Sequence, residues 1–190
     1  MELEILREIQ ESIDAKERLK LFTPTIAQAA GQIIERLRAG GKIIVCGNGG
    51  SAADAQHMAV ELVGRFEAER RAIPCLAITT NSSNLTAIAN DYEFDRVFER
   101  QVEALAVKGD VVIGISTSGN SRNVVRAMEA ANTRGALTIG LTGEQGGRLA
   151  EVTNICLKAP SLRTCRIQEC HLIILHILCL EIEKAILKTW

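Results

Sequence analysis

The hydrophobic pattern of the chain changes character at about residue 42. Before that point, apolar residues recur every three or four positions, which predicts amphipathic helices. Thr23 is the predicted N-cap of a second helix, and Pro24 lies in the first turn of that helix. The helix is predicted to end near Leu37, shortly before two glycines. The first helix covers residues 1–22, and its apolar positions are Leu3, Ile5, Leu6, Ile9 and Ile13.

Beyond residue 42, short apolar and β-branched runs alternate with stretches of helical spacing. Such strands between helices are typical of a parallel sheet covered on both faces, so we expect an α/β fold with a doubly wound five-stranded parallel sheet. The 190 residues fit one domain, 1–190, in which residues 1–40 form a helical extension. The predicted strands are 42–46, 75–79, 111–115, 137–141 and 154–158. The predicted helices are 51–65, 83–90, 94–106, 121–134, 146–150 and a long one from about Arg166 to Lys188.

Composition limits the classes of partner. The formal net charge is −1, so we expect no extended basic surface and no binding to nucleic acid or to a membrane. The N-terminus lacks the basic and apolar regions of a signal peptide, and no apolar run approaches the ~20 residues of a membrane span. Six cysteines without a C-x-x-C pair are typical of reduced thiols, which favours a cytoplasmic protein.

Two strand-to-helix loops have the composition of phosphate sites. The first is Gly47-Asn48-Gly49-Gly50-Ser51, whose glycines allow close approach of a ligand to a helix N-terminus. The second, Ser116-Thr117-Ser118-Gly119-Asn120-Ser121, places four hydroxyls beside another helix N-terminus. The alternatives are an ordinary tight turn for the first loop and a plain N-cap at Ser121 for the second. Together the loops favour one anionic, hydroxylated ligand lying across both.

Histidine and carboxylate positions give a candidate metal site. His57 and Glu61 are four residues apart on one predicted helix face, a spacing that suits either a zinc-like cation or an ordinary surface pair. His176 lies in an apolar stretch of the last helix, where a histidine can equally belong to the core. Gln168 is about 12 Å from His176 along this helix. We therefore expect that either one of them is not a constant ligand or, as we favour, they reach a given metal from different subunits.

These motifs, in this order and spacing, resemble the phosphoheptose isomerase family along nearly the whole chain. The wider family has the sugar isomerase (SIS) fold, a flavodoxin-like sheet that agrees with the predicted one. The segments that carry the resemblance are Cys46-Gly47-Asn48-Gly49-Gly50-Ser51, Asp54-Ala55-Gln56-His57, Glu61-Leu62-Val63-Gly64-Arg65, Ala87-Ile88-Ala89-Asn90-Asp91, Gly114 to Ser121, and Arg166-Ile167-Gln168-Glu169 with His171 and His176.

The resemblance implies an enzyme that converts sedoheptulose 7-phosphate to D-glycero-D-manno-heptose 7-phosphate through an enediol, the first step of ADP-heptose synthesis for lipopolysaccharide core. It implies a homotetramer with active sites at subunit interfaces, one zinc per subunit, and Glu61 and His176 as the catalytic pair. The implied metal ligands are His57, Glu61, Gln168 and His176. The implied substrate contacts are Asn48, Gly49, Gly50, Glu61, Asn90, Asp91, Ser116, Thr117, Ser118, Ser121 and Gln168.

Two other functions share this fold. A related group forms similar tetramers that bind the bacterial replication initiator protein without catalysis, and it lacks the equivalent of the Glu61 carboxylate. Because Glu61 and His176 are both present here, we favour catalysis. Sugar-phosphate-sensing regulators usually carry a DNA-binding domain, and residues 1–40 are too short and too acidic at their start to form one.

Overall fold

Five parallel strands form the central layer of the protein, and helices cover both of its faces. The computed structural model describes residues 1–187. The strands are β1 (Ile43–Gly47), β2 (Cys75–Ala77), β3 (Val111–Ile115), β4 (Leu137–Thr142) and β5 (Ile155–Lys158). The helices are α1 (Glu2–Leu19), α2 (Thr23–Arg38), α3 (Gly50–Val63), α4 (Ser82–Asp91), α5 (Glu99–Leu105), α6 (Arg122–Thr133), α7 (Gly147–Val152) and α8 (Thr164–Leu187), with 3₁₀ turns at Lys20–Phe22 and Phe94–Arg96.

The strand order is β2-β1-β3-β4-β5, and every neighbouring pair is parallel. This is the flavodoxin-like doubly wound order, so the predicted fold class is confirmed. The chain leaves β1 toward one edge and returns to β3 on the other side of it. Gly47 and Ile115 are register partners at the carboxyl ends of these two strands. The loops that follow them therefore lie side by side at the topological switch point, where ligands bind in such sheets.

The two faces of the sheet are packed by different sets of helices. Strand residues alternate between them: Ile43 and Val45 belong to a core shared with α1, α2, α3 and α8. Ile44 and Cys46 belong to the opposite core, which includes buried residues of α5, α6 and α7. This alternation is the two-residue period of a strand. Its consequence for function is that α3 and α8, which carry the candidate metal ligands, lie in the same layer.

Most predicted boundaries agree with the structure within three residues, and two predictions differ from it. The predicted helix 94–106 is divided into a 3₁₀ turn and α5, with Val97 and Phe98 buried between them. Thr23 is the first residue of α2 and not its N-cap, because its hydroxyl donates to the Lys20 carbonyl of the preceding 3₁₀ turn. The predicted end of the last helix, Lys188, lies outside the described residues.

Helix α1 is anchored at its polar side and leaves an apolar face uncovered. Glu8 pairs with Arg163 and Arg166 near the start of α8, and Ser12 donates to Glu169. Only Ala15 and Leu19 of this helix are buried. Five apolar side chains of α1 are 45–74% exposed, namely Leu3, Ile5, Leu6, Ile9 and Ile13.

No helix within residues 1–187 combines the length and the hydropathy that crossing a bilayer would require. The six cysteines in the described part of the chain are free thiols.

Candidate active site

Three ligand-type side chains from two helices meet at one point. His57 and Glu61 lie one turn apart on α3, and His57 Nε2 is 3.1 Å from Glu61 Oε1. His176, on α8, places its Nε2 atom 3.0 Å from His57 Nε2. One ligand atom from each of the three residues lies within 4.8 Å of the others. We call these residues the His57–Glu61–His176 cluster.

Hydrogen bonds alone cannot satisfy the cluster. His57 Nε2 faces both the carboxylate and the second imidazole, but a neutral imidazole nitrogen offers either one proton or one lone pair. A cation at the centre would satisfy all three lone pairs at once. Two histidines and a glutamate form a known zinc ligand set, with bonds of about 2.0–2.2 Å and an open fourth position. The donor set therefore fits the zinc that the sequence predicts.

Packing of α8 against α3 brings His176 to the cluster. The flanking residues Leu175 and Leu178 are fully buried in the core, whereas His176 is only partly buried. Its ring lies 5.0 Å from the His57 ring and 5.6 Å from the Phe66 ring, measured between centroids. A single chain thus assembles His57, Glu61 and His176.

Gln168 lies beside the first residue of α3. Its amide lies against Gly50, so close that a Cβ at position 50 would collide with Gln168 Nε2. Gly50 begins α3, and His57 follows it by about 10 Å along the helix axis. The sequence argument that convergence of Gln168 and His176 from one straight helix would be strained is consistent with this placement, whereas the sharing of a metal between subunits stays a prediction.

A pair of side-chain amides joins the first loop to the first turn of α6, which follows the second loop. Asn48 Nδ2 donates to Asn123 Oδ1 at 2.9 Å, and Asn123 Nδ2 donates back to Asn48 Oδ1 at 2.8 Å. Gly49, with φ +55°, takes the left-handed conformation that starts α3. Sequence reasoning missed Asn123, which is buried in the first turn of α6. The available signal was its position only two residues beyond the serine-rich loop.

The second loop clusters its hydroxyls at the N-terminus of α6. Ser116 Oγ lies 2.9 Å from Ser121 Oγ and 3.4 Å from Ser118 Oγ. Ser121 is the N-cap residue, but its side chain makes no capping hydrogen bond, so its hydroxyl is not used as a plain cap. Ser118 is exposed and accepts from the Asn120 backbone N–H at 3.1 Å. Thr117 is half-buried in the same loop, and hydroxyls at a helix N-terminus suit an anion, so the predicted phosphate site stays a prediction.

Asn90 and Asp91 lie apart from both loops along the chain, as the last two residues of α4. Both are exposed, and Asn90 Nδ2 donates to Asp91 Oδ1 at 2.9 Å. Their predicted role in substrate binding stays a prediction.

The serine-rich loop and His57 line two different depressions. Thr117, Ser118 and Asn120 line a cleft of about 240 Å³ together with residues of the loops after β4 and β5. His57 lines a shallow groove of about 580 Å³ between α3 and the edge strand β2, with Val60 and Leu76. The two depressions share no lining residue.

Asp54 adds a less hydrated carboxyl to the same helix, one turn before His57. Its Oδ2 atom is buried and makes no hydrogen bond within the described residues. Burial raises the pKa of Asp54 above its usual value, and the neighbouring His57 partly opposes this shift. The carboxyl therefore binds a proton more readily than an exposed aspartate does.

His171 has a structural role that separates it from His176. It is fully buried, and its Nε2 atom donates to the Thr142 carbonyl at 3.0 Å, while Nδ1 has no partner in the described structure. Burial lowers the pKa of His171 from 6.5 to about 4, against the opposing effect of its hydrogen bond to Thr142.

We expect His171 to make the protein less stable in acid. Because the folded state favours the neutral imidazole, its contribution is complete above pH 6.5 and falls as pH drops from 6.5 toward 4, by up to about 3 kcal/mol. Urea unfolding of the wild type and His171→Gln at pH 5 to 7.5 measures this contribution. The variant should lose less stability over this range, and parallel curves would contradict the prediction.

The strand order and the two polar loops at the switch point define the class of protein as a SIS-domain protein, and a family model described as "SIS domain" matches residues 6–143. A phosphoheptose isomerase of Geobacter metallireducens is 54% identical over 183 residues, 96% of this chain and 96% of that protein. The chain belongs to the phosphoheptose isomerase family.

Solved structures give the same relationship. A phosphoheptose isomerase from Francisella tularensis superposes with a TM-score of 0.93 at 39% identity, covering 97% of this chain and 99% of that one. The structure of the Neisseria gonorrhoeae phosphoheptose isomerase gives a TM-score of 0.91 at 44% identity, over 96% and 98% of the two chains. The similarity therefore extends over both the sheet and the flanking helices.

Proposed function

We propose that this protein is an isomerase that converts sedoheptulose 7-phosphate to D-glycero-D-manno-heptose 7-phosphate. The observation that carries the proposal is the meeting of Glu61 and His176 in one cluster, in a chain that resembles phosphoheptose isomerases from end to end. A carboxylate and an imidazole are the two groups that aldose–ketose exchange needs. The initiator-binding alternative requires neither of them.

The reaction moves a proton between C1 and C2 of the sugar through an enediol. Glu61 takes the proton from carbon, and His176 serves as the partner acid for the sugar oxygens. The Phe66 ring beside His176 keeps one side of the imidazole away from water. Glu61 cannot donate the same lone pair to a metal and to a proton at once, so its two roles alternate or use different oxygens.

His57, Glu61 and His176 would hold the zinc, and Gln168 of a neighbouring subunit would supply the fourth ligand. The latter assignment is supported by the contact of the Gln168 amide with Gly50, which lies about 10 Å from His57 along the axis of α3. When bound, zinc supplies a positive charge that polarises the oxygens of the reacting carbons.

The phosphate end of the sugar binds at the N-terminus of α6. Ser116, Thr117, Ser118 and Ser121 donate hydroxyl hydrogen bonds, and the helix dipole favours the negative charge. The Asn48–Gly50 loop, which Asn123 holds beside them, binds sugar hydroxyls. Asn90 and Asp91 contact the sugar hydroxyls as well. In this arrangement the phosphate is bound by hydroxyls and a helix N-terminus, without a positively charged side chain.

The enzyme acts as a homotetramer in the cytoplasm, with one zinc per subunit, and its product feeds ADP-heptose synthesis for lipopolysaccharide core. Two features support active sites at subunit interfaces: His57 and the phosphate loop line separate depressions, and α1 exposes a row of apolar side chains. Residues 1–40 of the single domain 1–190 supply part of these oligomer contacts.

The direct test is an assay of the purified protein with sedoheptulose 7-phosphate. We expect the aldose product to form, a chelator to stop the reaction, and added Zn²⁺ to restore it. Absence of product with the metal-loaded protein would refute the proposed activity. Product formation that is insensitive to removal of the metal would refute the zinc alone.

A further inference from the structure

A buried ion pair outside the cluster organises the segment between α3 and β2. The side chains of Glu183, on α8, and Arg70 are each 2% exposed, and Arg70 Nε donates to Glu183 Oε2 at 3.0 Å. The same carboxylate accepts backbone N–H groups from Phe66 at 3.1 Å and from Glu67 and Ala68 at 2.9 Å. Four hydrogen bonds thus converge on one buried carboxylate.

The other end of Arg70 binds the C-terminus of α3. Its Nη2 atom donates to the Glu61 carbonyl at 2.6 Å, and Nη1 donates to the Leu62 carbonyl at 2.8 Å and the Gly64 carbonyl at 3.0 Å. The last carbonyls of a helix have no hydrogen-bond partner within it, and the N–H groups of Arg70 donate to these carbonyls. One of these carbonyls belongs to Glu61, a member of the cluster.

The pair therefore connects the two helices that build the cluster. Glu183 lies two turns beyond His176 on α8, and Arg70 donates hydrogen bonds to the last turn of α3, which carries Glu61. The segment that Glu183 holds by its N–H groups also presents the Phe66 ring to the His176 ring at 5.6 Å. Any change in the length or direction of this connection would move Glu61 relative to His176.

We propose that Arg70 and Glu183 are positioning residues that set the distance between the His57–Glu61 pair and His176 for metal binding. A buried ion pair is costly to desolvate and gives little net stability over apolar residues of similar volume. Its hydrogen bonds do provide fixed geometry on two helices at once. This inference rests on the metal of the proposed function and adds two residues to which the sequence analysis gave no role.

The test is titration of the metal-free protein with Co²⁺, whose visible spectrum reports the ligand set. We expect Glu183→Gln to bind Co²⁺ at least about tenfold more weakly than the wild type, as loss of groups that orient metal ligands commonly does, and to show an altered spectrum. The matched control is Asp110→Asn. Asp110 is also a buried carboxylate, which binds Lys42 Nζ at 2.6 Å, the Lys42 backbone N–H before β1 and the Val107 backbone N–H before β3.

Asp110→Asn should lower the free energy of unfolding and leave the affinity for Co²⁺ unchanged. Arg70→Lys serves as a second variant, because it keeps the positive charge, but its three N–H donors cannot bind Glu183 and all of the carbonyls that the guanidinium binds. We expect it too to weaken Co²⁺ binding. Wild-type affinity and spectrum in folded Glu183→Gln and Arg70→Lys would overturn the positioning role alone. A wild-type protein that binds no Co²⁺ would instead refute the metal of the proposed function.

Discussion

Replacing Glu61 with Gln, or His176 with Gln, should lower kcat by about 10³-fold in each case, since a positioned general acid or base contributes 10²–10⁴-fold. Gln keeps the size of Glu61 but can neither take a proton from carbon nor carry the negative charge that a metal requires. His176→Gln removes the imidazole that lies 3.0 Å from His57. Steady-state assays with sedoheptulose 7-phosphate, with size-exclusion chromatography of each variant, measure the effect.

Glu103→Gln is the matched control for these two variants. Glu103 is a half-exposed glutamate on α5, which packs on the opposite face of the sheet from α3 and α8, and its partner is Arg100 at 3.5 Å. Its kcat should equal that of the wild type. A Glu61→Gln or His176→Gln enzyme with more than about a tenth of wild-type kcat would remove that residue from the catalytic pair.

Mixed oligomers of two inactive variants should regain activity. Ser118→Glu puts a carboxylate in the proposed phosphate site and should abolish binding of the sugar phosphate by repulsion, while Glu61→Gln disables the cluster. If each active site combines the loop of one subunit with the cluster of another, random co-assembly leaves about a quarter of the sites intact. We therefore expect co-expressed, co-purified oligomers to show about a quarter of wild-type kcat per site.

A second mixture distinguishes a shared site from a shared cluster. Glu61→Gln combined with His176→Gln should show no recovery, because one chain supplies both residues to each cluster. Recovery in this mixture would mean that the cluster is assembled across subunits. Absence of recovery in the first mixture would place the loop and the cluster of one chain in the same active site.

The sheet was predictable because its three central strands, β1, β3 and β4, are buried on both faces. β3 has all five residues buried and was predicted at its exact bounds of 111–115. β2 was predicted as 75–79, but only Cys75–Ala77 pair with β1. This strand is at the edge of the sheet, where only one neighbour exists to extend it. The apolar residues therefore indicated that a strand exists. Its length depends on pairing with β1, which the hydrophobic pattern does not specify.

The candidate site was predictable where it depends on one helix and not where it depends on two. The spacing of His57 and Glu61 is a property of α3 alone, and the structure has the pair in contact at 3.1 Å. His176 joins them only because α8 packs on α3, which no periodicity specifies. The Arg70–Glu183 ion pair was missed for the same reason. Its partners are separated by more than 100 positions, and arginine and glutamate are residue types that usually lie on the surface.

Because Asn48 and Asn123 are hydrogen-bonded to each other, the effect of a substitution at one of them depends on the residue at the other. Asn48 and Asn123 each donate one hydrogen bond to the other, and Asn123 Oδ1 also accepts from the Val124 N–H, so replacing either asparagine leaves the Nδ2 donor of the other without its partner. Variation at these positions should therefore be concerted: a mutational library selected for folded protein is expected to yield sequences in which both asparagines are retained or both are exchanged together.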